Sequence, residues 1–297
     1  MRAPTSLSDL PNELLLEIFD YLDWDGLTRD PANIYKPLKN LAGVSHYFRL
    51  LLSPRLFRTL RCKYDPFDSW TNPQTVSTLL NRPYIAHNAR SLVFDLYDIQ
   101  RYYHPDIARH YNNFLRAVTV LSELEAITLE IGDWESPALR GGILDTLPPS
   151  LRLERVKTLH VMCHTSSLLA HCPNTTNLRI KCTSQDNICA CMVVSCSKVE
   201  YLTFEGRMSD KRLQVLASSY PNVRHLTHRW YDILDAQWYL PLVTHYGHCF
   251  STQFSALERV CRMRLNRFAL WEVSTAVVET NADGQRQEKW DTRRSWS

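Results

Sequence analysis

Glycine is scarce in this chain, eight among 297 residues, and only Gly141 and Gly142 are adjacent, so there is no glycine-rich loop to cradle a phosphate. No apolar run approaches membrane-spanning length. Neither sign of charge is in excess: 34 Lys and Arg against 31 Asp and Glu leave +3. No Lys/Arg block is long enough to act as an electrostatic arm, which argues against a dedicated nucleic-acid binder. The first ten residues, MRAPTSLSDL, lack the apolar core of a secretory signal. No two of the nine cysteines stand in CxxC spacing, and an odd number without a signal reads as free thiols in a reducing compartment. These absences lead us to expect a soluble intracellular protein of the cytoplasm and/or nucleus, with no membrane and no nucleic acid among its partners.

What is present begins with LPNELLLEIFDYL, residues 10–22. Leu14, Leu15, Ile18, Phe19 and Leu22 recur at helical spacing, and Pro11 stands where a first helical turn tolerates it. Leu10 and Pro11 add apolar matter at the helix tip, more than one buried face needs. After a polar connection with Gly26, Pro31 and Pro37 as breakers, LKNLAGVSHYFRLLLSPRLFRTL gives a second helical pattern. It carries Leu38, Leu41, Val44, Phe48, Leu51 and Leu52 on one side, and Pro54 is expected to end or kink it. Residues 1–30 hold seven acidic groups and 31–60 five basic ones with no acidic partner.

Three blocks in order resemble an F-box: Leu10-Pro11-x-Glu13-Leu14 with Ile18-Phe19-x-Tyr21-Leu22, Leu41-x-x-Val44-Ser45-x-x-Phe48-Arg49, and Pro54-x-Leu56-Phe57. The resemblance covers residues 6–60. Leu22 and Val44 stand 22 residues apart, about twice the usual separation, as in fungal-type F-box proteins with insertions between the helices. It implies docking of a Skp-type adaptor through Leu10, Pro11, Leu14, Ile18, Leu22, Val44 and Phe48, and through the adaptor a cullin-RING ligase.

From residue 85 the chain repeats a template of core residues at i, i+3, i+6 and i+8. Ala86/Ala89/Leu92/Phe94, Leu121/Leu124/Ile127/Leu129, Leu153/Val156/Leu159/Val161, Cys172/Thr175/Leu178/Ile180 and Cys196/Val199/Leu202/Phe204 follow it. Tyr220/Val223/Leu226/His228 and Phe254/Leu257/Val260/Arg262 are weaker copies. Third residues are spaced 35, 32, 19, 24, 24 and 34 apart. Helical candidates lie between them in YNNFLRAVTVL, SLLAH, NICACMVVS and SDKRLQVLASSY. The expected class is α/β: a helical F-box, then over 85–265 an irregular leucine-rich-repeat-like solenoid of short parallel strands and helices, each unit buried by its neighbours. This region resembles the irregular repeats of F-box proteins, where phrases such as Cys172-Pro173-Asn174 and Tyr220-Pro221-Asn222 are common. VSTAVVETNADGQRQEKW, around Asp283-Gly284, reads as a hairpin or tail over 266–297 that covers the last open edge.

Candidate chemistry is thin. His160, Cys163, His164, His171, Cys172, Cys182, Cys189, Cys191 and Cys196 crowd together in sequence, but their spacings fit no common zinc module. Cys172 and Cys196 occupy core slots of the template, where a small apolar side chain is wanted. His245, His248 and Cys249 lack the Glu of a zincin helix, and no flanking signature marks a nucleophile. We expect no catalytic residue, no metal and no cofactor. Strand alternation turns the residues at i+7 and i+9 away from the core: Val93 and Asp95, Thr128 and Glu130, His160 and Met162, Arg179 and Lys181, Thr203 and Glu205, Thr227 and Arg229. Of these, His160, Arg179, Lys181, Thr203, Glu205 and Arg229 are the expected contacts to a protein substrate, with a basic centre suited to an acidic or phosphorylated segment. The resemblance thus implies the substrate-recognition subunit of an SCF-type ubiquitin ligase. The alternatives are an F-box scaffold acting outside a ligase, or a zinc or thiol enzyme built on the Cys/His-rich stretch.

Overall fold

The computed structural model describes residues 7, 10–23, 36–63, 81–96, 107–131, 147–182, 196–206, 210–230, 254–265, 271–281 and 285–291. Helix α1 (Asn12–Asp23) starts just after Pro11, whose carbonyl accepts the Leu15 N–H at 3.1 Å. Its apolar stripe divides. Leu15 and Phe19, four apart, are fully buried, while Leu14 and Ile18, one position earlier and so about 100° around the helix, are exposed. The second pattern forms two helices rather than one, α2 (Lys36–Val44) and α3 (His46–Leu56). Ser45 makes the break: its backbone is extended and its hydroxyl accepts the Phe48 N–H at 3.2 Å, an N-cap for α3. Pro54 lies inside the last turn of α3, which runs on to Leu56. Leu15, Phe19, Leu38, Ala42, Phe48 and Leu52 close a small core.

Ten strands follow in one sheet, ordered as they occur in the chain. They are β1 (Thr59–Lys63), β2 (Ser91–Leu96), β3 (Ala126–Ile131), β4 (Thr158–Met162) and β5 (Asn177–Lys181). The rest are β6 (Tyr201–Glu205), β7 (His225–Trp230), β8 (Arg259–Leu265), β9 (Trp271–Thr280) and β10 (Arg286–Asp291). Strands β1 through β8 pair in parallel, and β9 and β10 pair antiparallel. Helices α4 (Pro83–Asn88), α5 (Ile107–Val120) and α6 (Asp210–Ser219) and a 3-10 helix (Cys163–His171) lie between strands. Phe114, Ala117 and Val118 of α5, Leu168 and Leu169 of the 3-10 helix, and Leu213, Leu216 and Ala217 of α6 join one face of the strands in a single core.

The template has a physical basis. In six units the N–H at i+3 bonds the carbonyl at i: Leu124 to Leu121, Val156 to Leu153, Thr175 to Cys172, Val199 to Cys196, Val223 to Tyr220 and Leu257 to Phe254. Each is a tight turn with both ends buried, and it delivers the chain into the strand. Pro173 and Pro221 stand second in their turns, where a fixed φ is favoured. The Asn after each reaches back one unit, Asn174 to the Glu154 carbonyl at 2.8 Å and Asn222 to the Ser197 carbonyl at 2.7 Å. The carbonyl before each strand accepts two N–H groups of the next unit, in an unbroken series from Arg58 through Arg90, Glu125, Lys157, Thr176 and Glu200 to Arg224.

That series starts ahead of the expected 85–265 span, at β1, which leaves α3 after only Phe57 and Arg58. Leu60 and Cys62 of β1 pack against the sheet core, and Pro54/Phe57/Leu60/Cys62 repeats the template spacing. At the other end, within the segment expected over 266–297, β10 pairs antiparallel with β9 and β9 with β8, Arg259 opposite Val277. Asp283 and Gly284 of its turn, the helical candidate NICACMVVS, and His245, His248 and Cys249 lie outside the described residues. Cys172 and Cys196 fill their core slots as free, buried thiols, and burial pushes the Cys172 thiol up to about 12. Cys182 departs from the expectation of free thiols: it is disulfide-bonded. Among the described residues no group of three or more His, Cys, Asp or Glu side chains is placed to hold a metal ion, and no helix is long and apolar enough to cross a membrane.

Candidate functional site

Two surfaces carry the residues singled out from the sequence. The first belongs to the helical module. Pro11, Leu14 (46% exposed), Ile18 (36%) and Val44 (73%) lie on the outside, and Leu10 is half-buried against the small core. Phe48 is placed otherwise. It is 6% exposed and meets Phe19 edge to face, with ring centroids 6.2 Å apart, so it supports the module from within. Its misplacement follows from Ser45: a fresh helix begins there, and the new phase sends Phe48 and Leu52 inward and Tyr47 and Leu50 outward. Tyr47 (40% exposed) and Leu50 (62%) therefore join the exposed apolar set unannounced by sequence. The Tyr47 hydroxyl donates to the Asn12 side chain, which fastens the start of α3 beside Pro11 at the tip of α1. The side chain of Leu22 lies outside the described residues, although α1 includes its position.

Exposed Leu, Ile, Val and Tyr side chains on the described helices of this module cost free energy in water and mark a contact surface. The arrangement offers apolar area at exposed positions.

The second surface is the sheet face opposite the core. Register places His160, Arg179, Thr203 and Thr227 in one transverse row, and Lys181, Glu205 and Arg229 in the next. The expected basic centre is present but internally matched. Glu205, 1% exposed, receives the Arg179 guanidinium through Nε at 2.8 Å and a second nitrogen at 2.6 Å, and Arg229 at 3.3 Å. All three contacts fall on Oε1, and Oε2 is buried without a hydrogen bond. Glu130 lies 3.4 Å from Lys181 Nζ and 3.4 Å from His160 Nδ1. Burial, reinforced by Arg179, Lys181 and Arg229, lowers the His160 pKa from 6.5 to about 3. His160 is therefore neutral, and its approach to Glu130 is not an ion pair.

His160 and Glu205, both expected on the surface, are thus buried, as is Met162. Arg179, Lys181, Thr203 and Arg229 are half-buried, as are Val93, Asp95, Thr128, Glu130 and Thr227. The i+7 and i+9 positions also miss a further row. At i+5, Tyr201 is 48% exposed and stacks on His225, centroids 4.6 Å apart and planes 12° from parallel. That position has the same parity along the strand, so alternation alone was enough to find it.

No curated protein matches this chain. The helical module does have a match: residues 7–63, which hold α1 to α3 and β1, match the F-box-like family. The chain therefore carries an F-box-like domain whose last strand is already the first strand of the sheet.

Proposed function

We propose that this chain is the substrate-recognition subunit of an SCF-type ubiquitin ligase. The observation that carries the reading is the exposed apolar set Pro11, Leu14, Ile18, Val44 and Tyr47 on a domain that matches the F-box-like family. Such domains commonly bind Skp-type adaptors, and a fully desolvated apolar centre dominates the affinity of an interface. Through the adaptor the chain would join a cullin and a RING protein in the cytoplasm or nucleus. The sheet is read as an irregular leucine-rich-repeat-like solenoid, in an F-box protein of fungal type, and its face away from the core holds the substrate. The chain supplies position and no chemistry: it raises the effective concentration of a substrate lysine near a charged conjugating enzyme.

Affinity capture of the full chain from cells with the proteasome blocked, followed by mass spectrometry, tests this. Adaptor, cullin and ubiquitin-modified proteins are expected together. Adaptor without cullin, in repeated captures, would refute the ligase assignment and favour a scaffold.

A further inference from the structure

One transverse row of the sheet face away from the core is both exposed and chemically graded. Register runs Tyr201, His225, Arg259, Val277 and Lys289 across β6 to β10. Tyr201 (48%) and Val277 (49%) are exposed large apolar side chains at either end of its centre. Between them stand His225, stacked on Tyr201, and Arg259, which is exposed and, among the described residues, has no ion pair. Lys289 beyond Val277 is occupied by Glu279 at 3.8 Å. Unlike Arg179 and Arg229, which are spent on Glu205, Arg259 has no counter-charge among the described residues and stands in the row between the exposed Tyr201 and Val277.

We infer that this row docks an extended acidic segment of a partner protein, of the pattern apolar-x-Glu/Asp-x-apolar. The spacing selects the pattern. Tyr201 and Val277 are three strand spacings apart, about 14 Å at roughly 4.8 Å each. An extended chain covers about 13–14 Å in four residues, at roughly 3.4 Å per residue. Residues i, i+2 and i+4 of that chain face the sheet together. With apolar side chains on Tyr201 and Val277, the middle residue falls between β7 and β8, over His225 and Arg259, where a carboxylate pairs with the guanidinium. A helix crossing the same distance would need about nine residues and would not present three consecutive contacts to the row. The pattern reads the same in both directions, so either polarity of the segment fits. Calling the partner a substrate rests on the ligase reading; the docking itself does not.

The test uses the purified full chain and fluorescein-labelled twelve-residue peptides with Leu at i and i+4 and Glu, Gln or Lys at i+2. Binding is expected for the Glu peptide, at least tenfold weaker for the Lys peptide, and at least tenfold weaker after Tyr201→Ala or Val277→Ser. Arg259→Glu should reverse the preference, so that the Lys peptide binds better than the Glu peptide; this inversion holds even if the variant is somewhat less stable. Equal binding of all three peptides, or a preference unchanged in Arg259→Glu, overturns the proposal. So does concentration-dependent dimerisation abolished by Val277→Ser, which would give the face to a second copy of the chain. Failure of adaptor capture would sink the ligase reading and leave these peptide measurements unaffected.

Discussion

His160 stands where strand parity puts it and is buried there. Strand parity puts it on the face away from the core, yet it is 7% exposed and neutral, with Glu130 3.4 Å from its Nδ1. Its depressed pKa has a consequence for stability. Between the unfolded value near 6.5 and the folded value of about 3, the unfolded chain binds a proton that the folded chain refuses. Stability from this group is therefore whole above pH 6.5 and falls as pH drops, by up to roughly 2 kcal/mol between pH 7 and pH 5. Urea unfolding at the two pH values should show that loss in the wild-type chain and a clearly smaller one in His160→Gln. An equal loss in both would mean that His160 is accessible to protons in the folded state. Burial of this kind is not legible from periodicity, which reports the direction of a side chain and not what lies over it. Glu205 was misjudged for the same reason.

At the scale of elements, the template found the buried positions well because it encodes a turn. A turn whose first and last residues are both buried gives i and i+3, and alternation in the strand gives i+6 and i+8; every described member of the five stronger units is buried or half-buried. The first unit escaped notice because Pro54 and Phe57 serve two elements at once, the end of α3 and the entry to β1. The helix break at Ser45 was readable in principle, since Ser three residues ahead of Phe48 is an N-cap signal, but continuous apolar spacing masked it. One local joint was not readable at all. Gly206, just after β6, has φ +134°, and a Cβ there would lie 2.5 Å from the Cys182 carbonyl oxygen of the neighbouring unit. Gly206→Ala should cost at least about 1–3 kcal/mol from backbone strain alone. A melting temperature within a degree of wild type would show that the joint relaxes freely.

For the whole molecule, the matched F-box-like span ends inside the sheet. The Arg58 carbonyl that follows α3 accepts the N–H groups of Arg90 and Ser91, so the helical module passes into the sheet through two residues rather than a separate linker. The central claim is that the exposed apolar surface of that module exists to be covered by a Skp-type adaptor. Its most direct test is a calorimetric titration of a purified Skp-type adaptor into the full chain and into a Leu14→Ala, Ile18→Ala, Val44→Ala variant. All three side chains are exposed, so the fold is expected to survive, as circular dichroism can verify. Burying each one contributes roughly 1–3 kcal/mol, and a tenfold change in affinity is about 1.4 kcal/mol. The account predicts tight binding by the wild-type chain and at least a hundredfold loss in the variant; no binding by the wild type, or undiminished binding by the folded variant, would contradict it.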